Sequence, residues 1–312
     1  MKPTFSVVIP THNRRQRLER TLASLEAQRA CPDFEIIVVD DGSRDGTSER
    51  LARRSWTRPH ERLRLPCSAG PAAARNAGVE AARGECVAFL GDDTQPMPDW
   101  LAAHANAHQA GACAVIGTIR WAQTFRPTRF TRYIAEQGPQ FGFALIGNPL
   151  DVHFRFFYAS NLSLRREYLL REPFDESFRT AAWEDIELGY RLQQRGLRFV
   201  YESRAIVEHD HPTDLNQFLA RQFRVGEAAP NLVRLHPELG WLAQFGESGP
   251  SKPAPRWLVA GARGWARALE NVPISLRPLW SFLCRESVRA GLEHAWRGHE
   301  ANGRPERRNH DG

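Results

Sequence analysis

Phe5-Ser6-Val7-Val8-Ile9-Pro10-Thr11-His12-Asn13-Arg14 begins with a run that is apolar but for Ser6 and ends in a polar cluster. A short apolar run without alternation is the mark of a strand buried on both faces, as in a parallel sheet. Pro10 is expected to end that strand. Leu18, Leu22 and Leu25 then recur at helical spacing, which predicts a helix from about 16 to 28. Phe34-Glu35-Ile36-Ile37-Val38-Val39 is a second buried strand, followed by Asp40-Asp41-Gly42-Ser43 with its turn signal. Helices are expected over 47–54 and from Pro71 to Ala82, the latter opened by a proline at a tolerated first position. A short strand is expected at Leu63 to Leu65. Gly84 closes the third helix, and Cys86-Val87-Ala88-Phe89-Leu90 is the next buried strand, followed by Gly91-Asp92-Asp93-Thr94. Strand–helix alternation builds an α/β fold, a mostly parallel sheet flanked by helices. Ligands in such sheets sit at the carboxyl ends of the strands, here just after residues 9, 39 and 90.

The remainder of the chain supports one large or two modest units in 312 residues. Residues 120–157, with Gly138, Pro139, Gly142, Gly147 and Pro149, read as a loop-rich insertion over the site. Beyond His211 the pattern turns helical, with a break rich in Gly, Pro and Ser over 246–255. Composition is 42% hydrophobic, 25% charged and 10% aromatic, which excludes collagen-like, disordered and disulfide-scaffold classes. The absence of an apolar run of about 18 residues predicts no transmembrane helix, and the first apolar stretch is too short for a signal peptide. Five dispersed cysteines without a Cys-x-x-Cys pair point to reduced thiols in a cytoplasmic setting. Lys+Arg 42 less Asp+Glu 36 gives +6, and 252–308 alone carries 11 basic and 5 acidic residues, again +6. The basic excess therefore belongs to the C-terminal end, where Trp257, Trp265, Trp280 and Trp296 lie among arginines.

The three polar clusters follow three predicted strands, so two acidic strand ends lie side by side in one sheet. Such carboxylates are costly unless a cation compensates them, and hard oxygens suit magnesium or manganese with phosphate oxygens as co-ligands. A nucleotide diphosphate with a divalent ion is the simplest occupant. A fourth cluster, Trp183-Glu184-Asp185, opens a helix whose apolar side is Ile186, Leu188 and Leu192. Acids there can be partners of the helix dipole or, for one of them, a general base on an alcohol. The fifth cluster is Glu208-His209-Asp210-His211, after a strand-like Phe199-Val200-Tyr201.

Taken in order, these motifs resemble glycosyltransferase family 2, inverting enzymes of the GT-A nucleotide-diphosphosugar-binding fold. The residues that carry the resemblance are Val7 to Arg14, Ile37 to Ser43, Gly70 to Gly78 with Arg75-Asn76, Phe89 to Thr94, Phe174-Asp175-Glu176 and Trp183 to Leu192. It covers roughly 4–212, implying a catalytic domain over 1–212 with a donor half to about 119 and an acceptor half over 120–212. The helical, basic, Trp-rich region is then 213–312.

What the resemblance implies is specific. Pro10, Thr11, Asn13, Arg14, Asp40 and Asp41 would face the nucleotide, with Thr11 and Asp41 on the nucleoside; Arg75, with Asn76, would approach the diphosphate. Asp93 and His209 would hold Mn2+ or Mg2+ with Asp92 assisting, and Asp185, beside Glu184, would be the catalytic base. Ser160, Asn161 and Trp183 match positions near the donor sugar or acceptor. The donor would be a nucleotide-diphosphosugar, UDP- or dTDP-linked by family habit. The acceptor would be a sugar, a lipid-linked glycan or another hydroxyl in bacterial polysaccharide or glycolipid assembly. One departure stands out: Gly91 occupies the first acidic place of the family's Asp-x-Asp.

Competing classes fit less well. A dehydrogenase needs Gly-x-Gly-x-x-Gly after a strand, and 10–14 contains no glycine. A nucleotidyltransferase needs a glycine-rich, lysine-containing loop there. A degenerate sugar-nucleotide-binding or membrane-associated scaffold is the non-enzyme alternative suggested by Gly91. Arg221 and Arg224 share a helical face and are read as surface charges. Trp257, Trp265, Leu269 and Leu283 with interspersed arginines fit an amphipathic helix on an anionic membrane, at the inner face of the cytoplasmic membrane, or helices packed on the core or on a second subunit. Nucleic acid is not expected, because the basic residues are spread along helices without a reading motif.

Overall fold

In a computed structural model the chain divides into two compact units, 1–212 and 213–312. The structure describes residues 3–136, 138–210, 213–246, 249–250, 253–269, 272 and 274–302, with backbone alone for 245–250 and 298–302. His211 lies outside the described residues.

In the first unit, β1 (Phe5–Thr11), β2 (Phe34–Asp40), β3 (His60–Arg64) and β4 (Cys86–Leu90) are parallel, in the order β3-β2-β1-β4. Their links are α1 (Arg15–Glu26), α2 (Thr47–Ala52) and α3 (Pro71–Ala81). The sheet continues through β5 (Thr94–Pro96), α4 (Trp100–Gln109), β6 (Ala114–Trp121), α5 (Arg129–Glu136), β7 (Asn161–Arg165), α6 (Arg166–Arg171), α7 (Glu184–Gln194) and β8 (Phe199–His209). The full order is β3-β2-β1-β4-β7-β6-β8-β5, with β7 antiparallel to both β4 and β6.

The buried runs decide the central strands. Every residue of β2 and β4 is buried, as runs apolar but for Glu35 and Asp40 of β2 require. One sheet face packs Phe5, Val7, Ile9, Ile36 and Val38 against Leu18, Leu22 and Leu25 of α1 and Trp100 of α4. On the other face α3 approaches β1 so closely that a Cβ on Gly78 would run into the Val8 side chain. Its buried residues Ala72, Ala73 and Ala74 are small enough for that contact, which carries Arg75 to the end of the sheet.

Several expectations need correction. Pro10 does not end β1, which runs to Thr11, because β1 pairs with β4 only through Val8 and the proline lies beyond that ladder. β3 begins at His60 rather than Leu63; it is an edge strand of charged residues whose burial alternates, so apolarity does not mark it. The 120–157 insertion is not all loop, since α5 lies within it and buries Phe130, Thr131 and Ile134. β8 does not stop near Tyr201. It continues past an irregularity opposite Gly117/Thr118 to His209, so the histidine is a strand end.

The second unit is built on α8 (Leu215–Leu235), α9 (Arg256–Ala268) and α10 (Arg277–Asn302), with a short antiparallel pair, Phe245–Gly246 and Gly249–Pro250, between α8 and α9. Asp214 caps α8 in a capping box with Gln217. Where α8 crosses α10, a Cβ on Gly226 would strike the Val288 carbonyl oxygen, and one on Gly291 the Phe223 carbonyl oxygen. Two glycines thus let the backbones touch. Leu283 and Trp280 are buried, so they are not part of an exposed amphipathic face, whereas Trp257 and Trp265 are 76% and 64% exposed. No helix among the described residues is long and apolar enough to cross a membrane.

Candidate functional site

The carboxyl ends of β1, β2, β4 and β8 and the start of α7 converge. β5 is the device that brings β8 in: Thr94 pairs with His209, and the Asp210 amide donates to the Asp93 carbonyl at 2.8 Å. His209 Nε2 therefore lies 3.7 Å from Asp93 Oδ2, although the two residues are far apart in sequence.

Arg14, just past β1, bridges the acidic end of β4. Its Nη1 donates to Asp92 Oδ1 at 2.9 Å and to Asp93 Oδ2 at 2.7 Å. Thr11 Oγ1 donates to Asp92 Oδ2 at 2.8 Å. Both oxygens of Asp92 are thus held within the protein, which leaves Asp93 as the carboxylate facing His209. Burial pushes the Asp92 carboxyl up to about 6, opposed by Arg14 and reinforced by the charge of Asp93. A Cβ on Gly91 would sit 3.2 Å from Asp93 Oδ1 and 3.3 Å from Thr94 Cγ2. In this packing a third acid at 91 would crowd Asp93.

After β2 the same residue pair is used differently. Asp40 accepts from the Ser43 amide at 2.8 Å and from Ser48 Oγ. Asp41 accepts from Ala69 N at 2.7 Å, Ser68 Oγ at 2.8 Å and Gly70 N at 3.0 Å. Gly42 has a positive φ of 71°, and a Cβ there would lie 2.8 Å from Ser68 N. Asp40 and Asp41 therefore shape the loop 67–70 that leads into α3. Asn13, at φ 53°, completes the rim: its amide donates to Ser43 Oγ and its Oδ1 accepts from Arg44 N, both at 2.8 Å.

The third acidic pair opens α7. Trp183, at its N-cap, adopts a left-handed φ of 75°, a strain that persists only where surrounding structure enforces it. Glu184 takes Arg75 at 2.8 Å, and both are buried. Arg75 Nε and Glu184 Oε2 are buried without a hydrogen-bond partner, which marks a polar site that a ligand would complete. Among the described residues Asp185 makes no ion pair of this kind. It accepts from Ala159 N at 3.2 Å and Ile186 N at 2.9 Å, and burial together with the charge of Glu184 lifts its carboxyl to about 7 against the pull of Arg75. The next carbonyl along, Ser160 O, accepts from Gly91 N at 3.2 Å, so Asp185 is tied through Ala159 and Ser160 to the end of β4.

Two expected contacts move out of the site. Asn161 is fully buried and spends all four hydrogen bonds inside: Oδ1 accepts from Trp100 Nε1 and His104 Nε2, and Nδ2 donates to the Thr118 and Ala205 carbonyls. It holds β7, α4, β6 and β8 together. Asn76 clamps Phe174 and Glu176 instead of facing a diphosphate. An aromatic wall escaped sequence reading. Trp121 and Phe141 lie 5.6 and 5.5 Å from the His209 ring, Phe143 stacks on Tyr201 at 5.4 Å, and Tyr158 meets Phe143 edge-on at 6.0 Å. These aromatics come from β6, β8 and the segment between α5 and β7, so no single periodicity in the sequence marks them.

The family model for glycosyl transferase family 2 matches residues 6–171, the span that holds every strand end described except that of β8. The chain belongs to that family. Among curated relatives, the pre-mycofactocin glycosyltransferase of Mycobacterium tuberculosis is 31% identical over 249 residues, 75% of this chain and 48% of that protein. Validoxylamine A glucosyltransferase of Streptomyces hygroscopicus is 31% identical over 285 residues, 77% of this chain and 59% of that protein. The chain thus spans about half the length of these relatives. Of solved structures, the mannosyltransferase PcManGT from Pyrobaculum calidifontis in complex with GDP-Man and Mn2+ has a TM-score of 0.61 at 19% identity, over 95% of this chain and 88% of that one. S. aureus TarS 1-349 with UDP-GlcNAc gives 0.54 at 17% identity, over 95% and 92%. The fold of this family 2 chain is the GT-A fold of those glycosyltransferases.

The donor set suits a divalent ion. Asp93 offers a hard oxygen and His209 an imidazole nitrogen on the same side of the strand end. Among the described residues no group of three or more His, Cys, Asp or Glu is arranged to hold a metal, so phosphate oxygens and water would complete the shell.

Proposed function

We propose that this family 2 chain is an inverting glycosyltransferase that moves a sugar from a nucleoside-diphosphosugar to an acceptor hydroxyl. The observation that supports the reading is the link from Asp185 through Ala159 and Ser160 to Gly91, which ties a half-buried carboxylate to the acidic strand end. Asp185 takes the proton of the acceptor hydroxyl while its oxygen attacks the anomeric carbon. The bond to the diphosphate breaks, and its electron pair leaves with the phosphate. One displacement inverts the centre, so one base suffices, unlike the carboxylate pairs of glycoside hydrolysis. A proton acceptor titrating near 7 is matched to neutral pH.

Asp93 and His209 would hold Mn2+ or Mg2+ with the diphosphate. Such an ion supplies Lewis-acid neutralisation of the charge on the leaving group. Arg75 Nε and Glu184 Oε2 add a buried donor and a buried acceptor without hydrogen-bond partners. The mannosyltransferase relative in fold carries GDP-Man and Mn2+, and TarS carries UDP-GlcNAc, which supports a sugar nucleotide as donor. Uridine and deoxythymidine diphosphosugars are the first candidates. The acceptor is a sugar or lipid-linked glycan hydroxyl of cell-envelope assembly in a cytoplasmic setting. A thermal-shift screen of UDP, dTDP and GDP with and without Mn2+ tests it. A rise in melting temperature with one nucleotide, only when the metal is present, is expected. No rise with any nucleotide overturns the reading and brings forward a catalytically degenerate scaffold.

A further inference from the structure

Within the C-terminal unit, α8, α9 and α10 enclose a groove of about 980 Å³. Its floor includes Leu219, Phe223 and Val259, and Arg224, Arg256, Arg263 and Arg267 stand around it. Charge on the α10 side is already spoken for: Arg297 pairs with Glu293, and Glu286 with Arg289. Among the described residues Arg267 meets the neutral amide of Asn216, at 2.7 Å, and no carboxylate. Arg224, Arg256 and Arg263 have no carboxylate partner among the described residues, and all three are exposed. The groove thus carries an uncompensated positive rim over an apolar floor.

The same helix α9 has a second, contiguous surface. Trp257, Gly261 and Trp265 follow at four-residue steps, with Leu258 beside them, so they share one side of the helix. Trp257 is 76%, Trp265 64% and Leu258 42% exposed, while Ala262 and Ala266 are buried. Gly264 lines the groove and lies next to this apolar side, so arginine rim and tryptophan face adjoin along a single helix. Arginines on one side and Trp and Leu on the other is the pattern of a helix lying in a membrane interface. Indole rings prefer that depth, and each basic residue adds attraction to anionic headgroups.

We propose that α9 and the arginine-rimmed groove form a docking surface for an anionic lipid leaflet: Trp257, Leu258 and Trp265 enter the headgroup region and the arginines hold lipid phosphates. The occupant is a leaflet and not a soluble polyanion, because a polyanion alone gives no use for two exposed indoles beside the charges. The surface is independent of the sugar-transfer reading, so either can fail without the other.

Co-sedimentation of the full chain with vesicles tests it. Vesicles of phosphatidylglycerol mixed with phosphatidylcholine should pellet the protein, those of phosphatidylcholine alone should not, and added salt should release it. Replacing Arg256, Arg263 and Arg267 by Gln should weaken binding by about a hundredfold, since each basic charge is worth about fivefold near an anionic surface. Trp257→Ala with Trp265→Ala should weaken it by about tenfold. These side chains are exposed, so the variants should keep the wild-type circular dichroism and melting temperature. Equal pelleting with neutral and anionic vesicles, or none with either, overturns the proposal. Binding lost by the arginine variant but fully kept by the tryptophan variant also overturns it, in favour of a soluble polyanion.

Discussion

At the ends of β2 and β4, the two strands that flank β1, the chain sets down the same two residues, Asp-Asp, and the structure spends them in opposite ways. Asp40 and Asp41 accept from backbone amides and serine hydroxyls, so their negative charge is met by fixed dipoles that belong to the loops 43–48 and 67–70. Asp92 and Asp93 are met instead by a side-chain cation, Arg14, which is 39% exposed, and Asp93 looks across 3.7 Å at His209. A carboxylate satisfied by amides can only be removed. One satisfied by a charged side chain can be handed to another cation. The pattern is therefore the same and the chemistry is not; the donors decide it. The third pair, Glu184–Asp185, divides this logic within itself, with Glu184 on Arg75 and Asp185 on amides, where desolvation and the charge of Glu184 raise it to about 7.

The largest effect expected is at that third pair. Asp185→Asn removes the base and should cost roughly 10²–10⁴ in turnover while donor binding persists. The wild-type rate should fall as pH drops through about 7, where the carboxylate takes up its proton. Stability runs the other way. A folded-state value raised from 3.8 is a contribution present below that ordinary range and lost as pH rises through about 7. The Asn variant, which cannot ionise, should therefore melt higher than the wild type above pH 7. A variant with normal turnover would remove Asp185 from the chemistry.

Exchanging the two strand-end pairs is the next test. Asp41→Ala strands the Ala69 and Gly70 amides at a buried turn and should cost about 2–5 kcal/mol of stability, read in urea unfolding, with Mn2+ affinity unchanged. Asp93→Ala should do the reverse, with near wild-type stability and Mn2+ affinity reduced by tenfold or more, since one of two protein ligands is gone. The opposite assignment of the two losses would break the comparison outright.

Much of the sheet was legible because β4 is apolar throughout and β2 is apolar but for Glu35 and its terminal Asp40, and burial on both faces leaves no other reading. β3 was displaced for the converse reason: an edge strand of His, Glu and Arg is polar where it meets water. α5 carries little periodic signal because it spans only Arg129–Glu136, about two turns, just before the Gly/Pro-rich 138–149. At the site, acid positions could be read from strand ends, but their uses could not. Asp41 is closed by donors at 68–70, and Asn161 by side chains and carbonyls from α4, β6 and β8. Such partners are set by the path of the chain in space, and no spacing in the sequence announces them.

The finest test is Arg14 itself. Its Nη1 lies 2.7 Å from the Asp93 oxygen that faces His209, so guanidinium and divalent ion compete for one atom. Arg14→Met keeps the length of the side chain and removes the charge. The free site should then bind Mn2+ about two- to fivefold more tightly in the absence of nucleotide, a modest gain because a partly exposed pair is worth little. Binding is read by the loss of the free Mn2+ signal in electron paramagnetic resonance. Asp92 reports independently: without Arg14 its carboxyl should rise above about 6, since burial and Asp93 both push upward and only Arg14 and Thr11 oppose them. The stability carried by its proton would then be lost at a higher pH than in the wild type, shifting the falling limb of the stability profile toward neutral. Unchanged or weaker Mn2+ binding would show that ion and guanidinium use different oxygens. The difference between the two strand ends would then lie in hydration rather than in exchangeable cations.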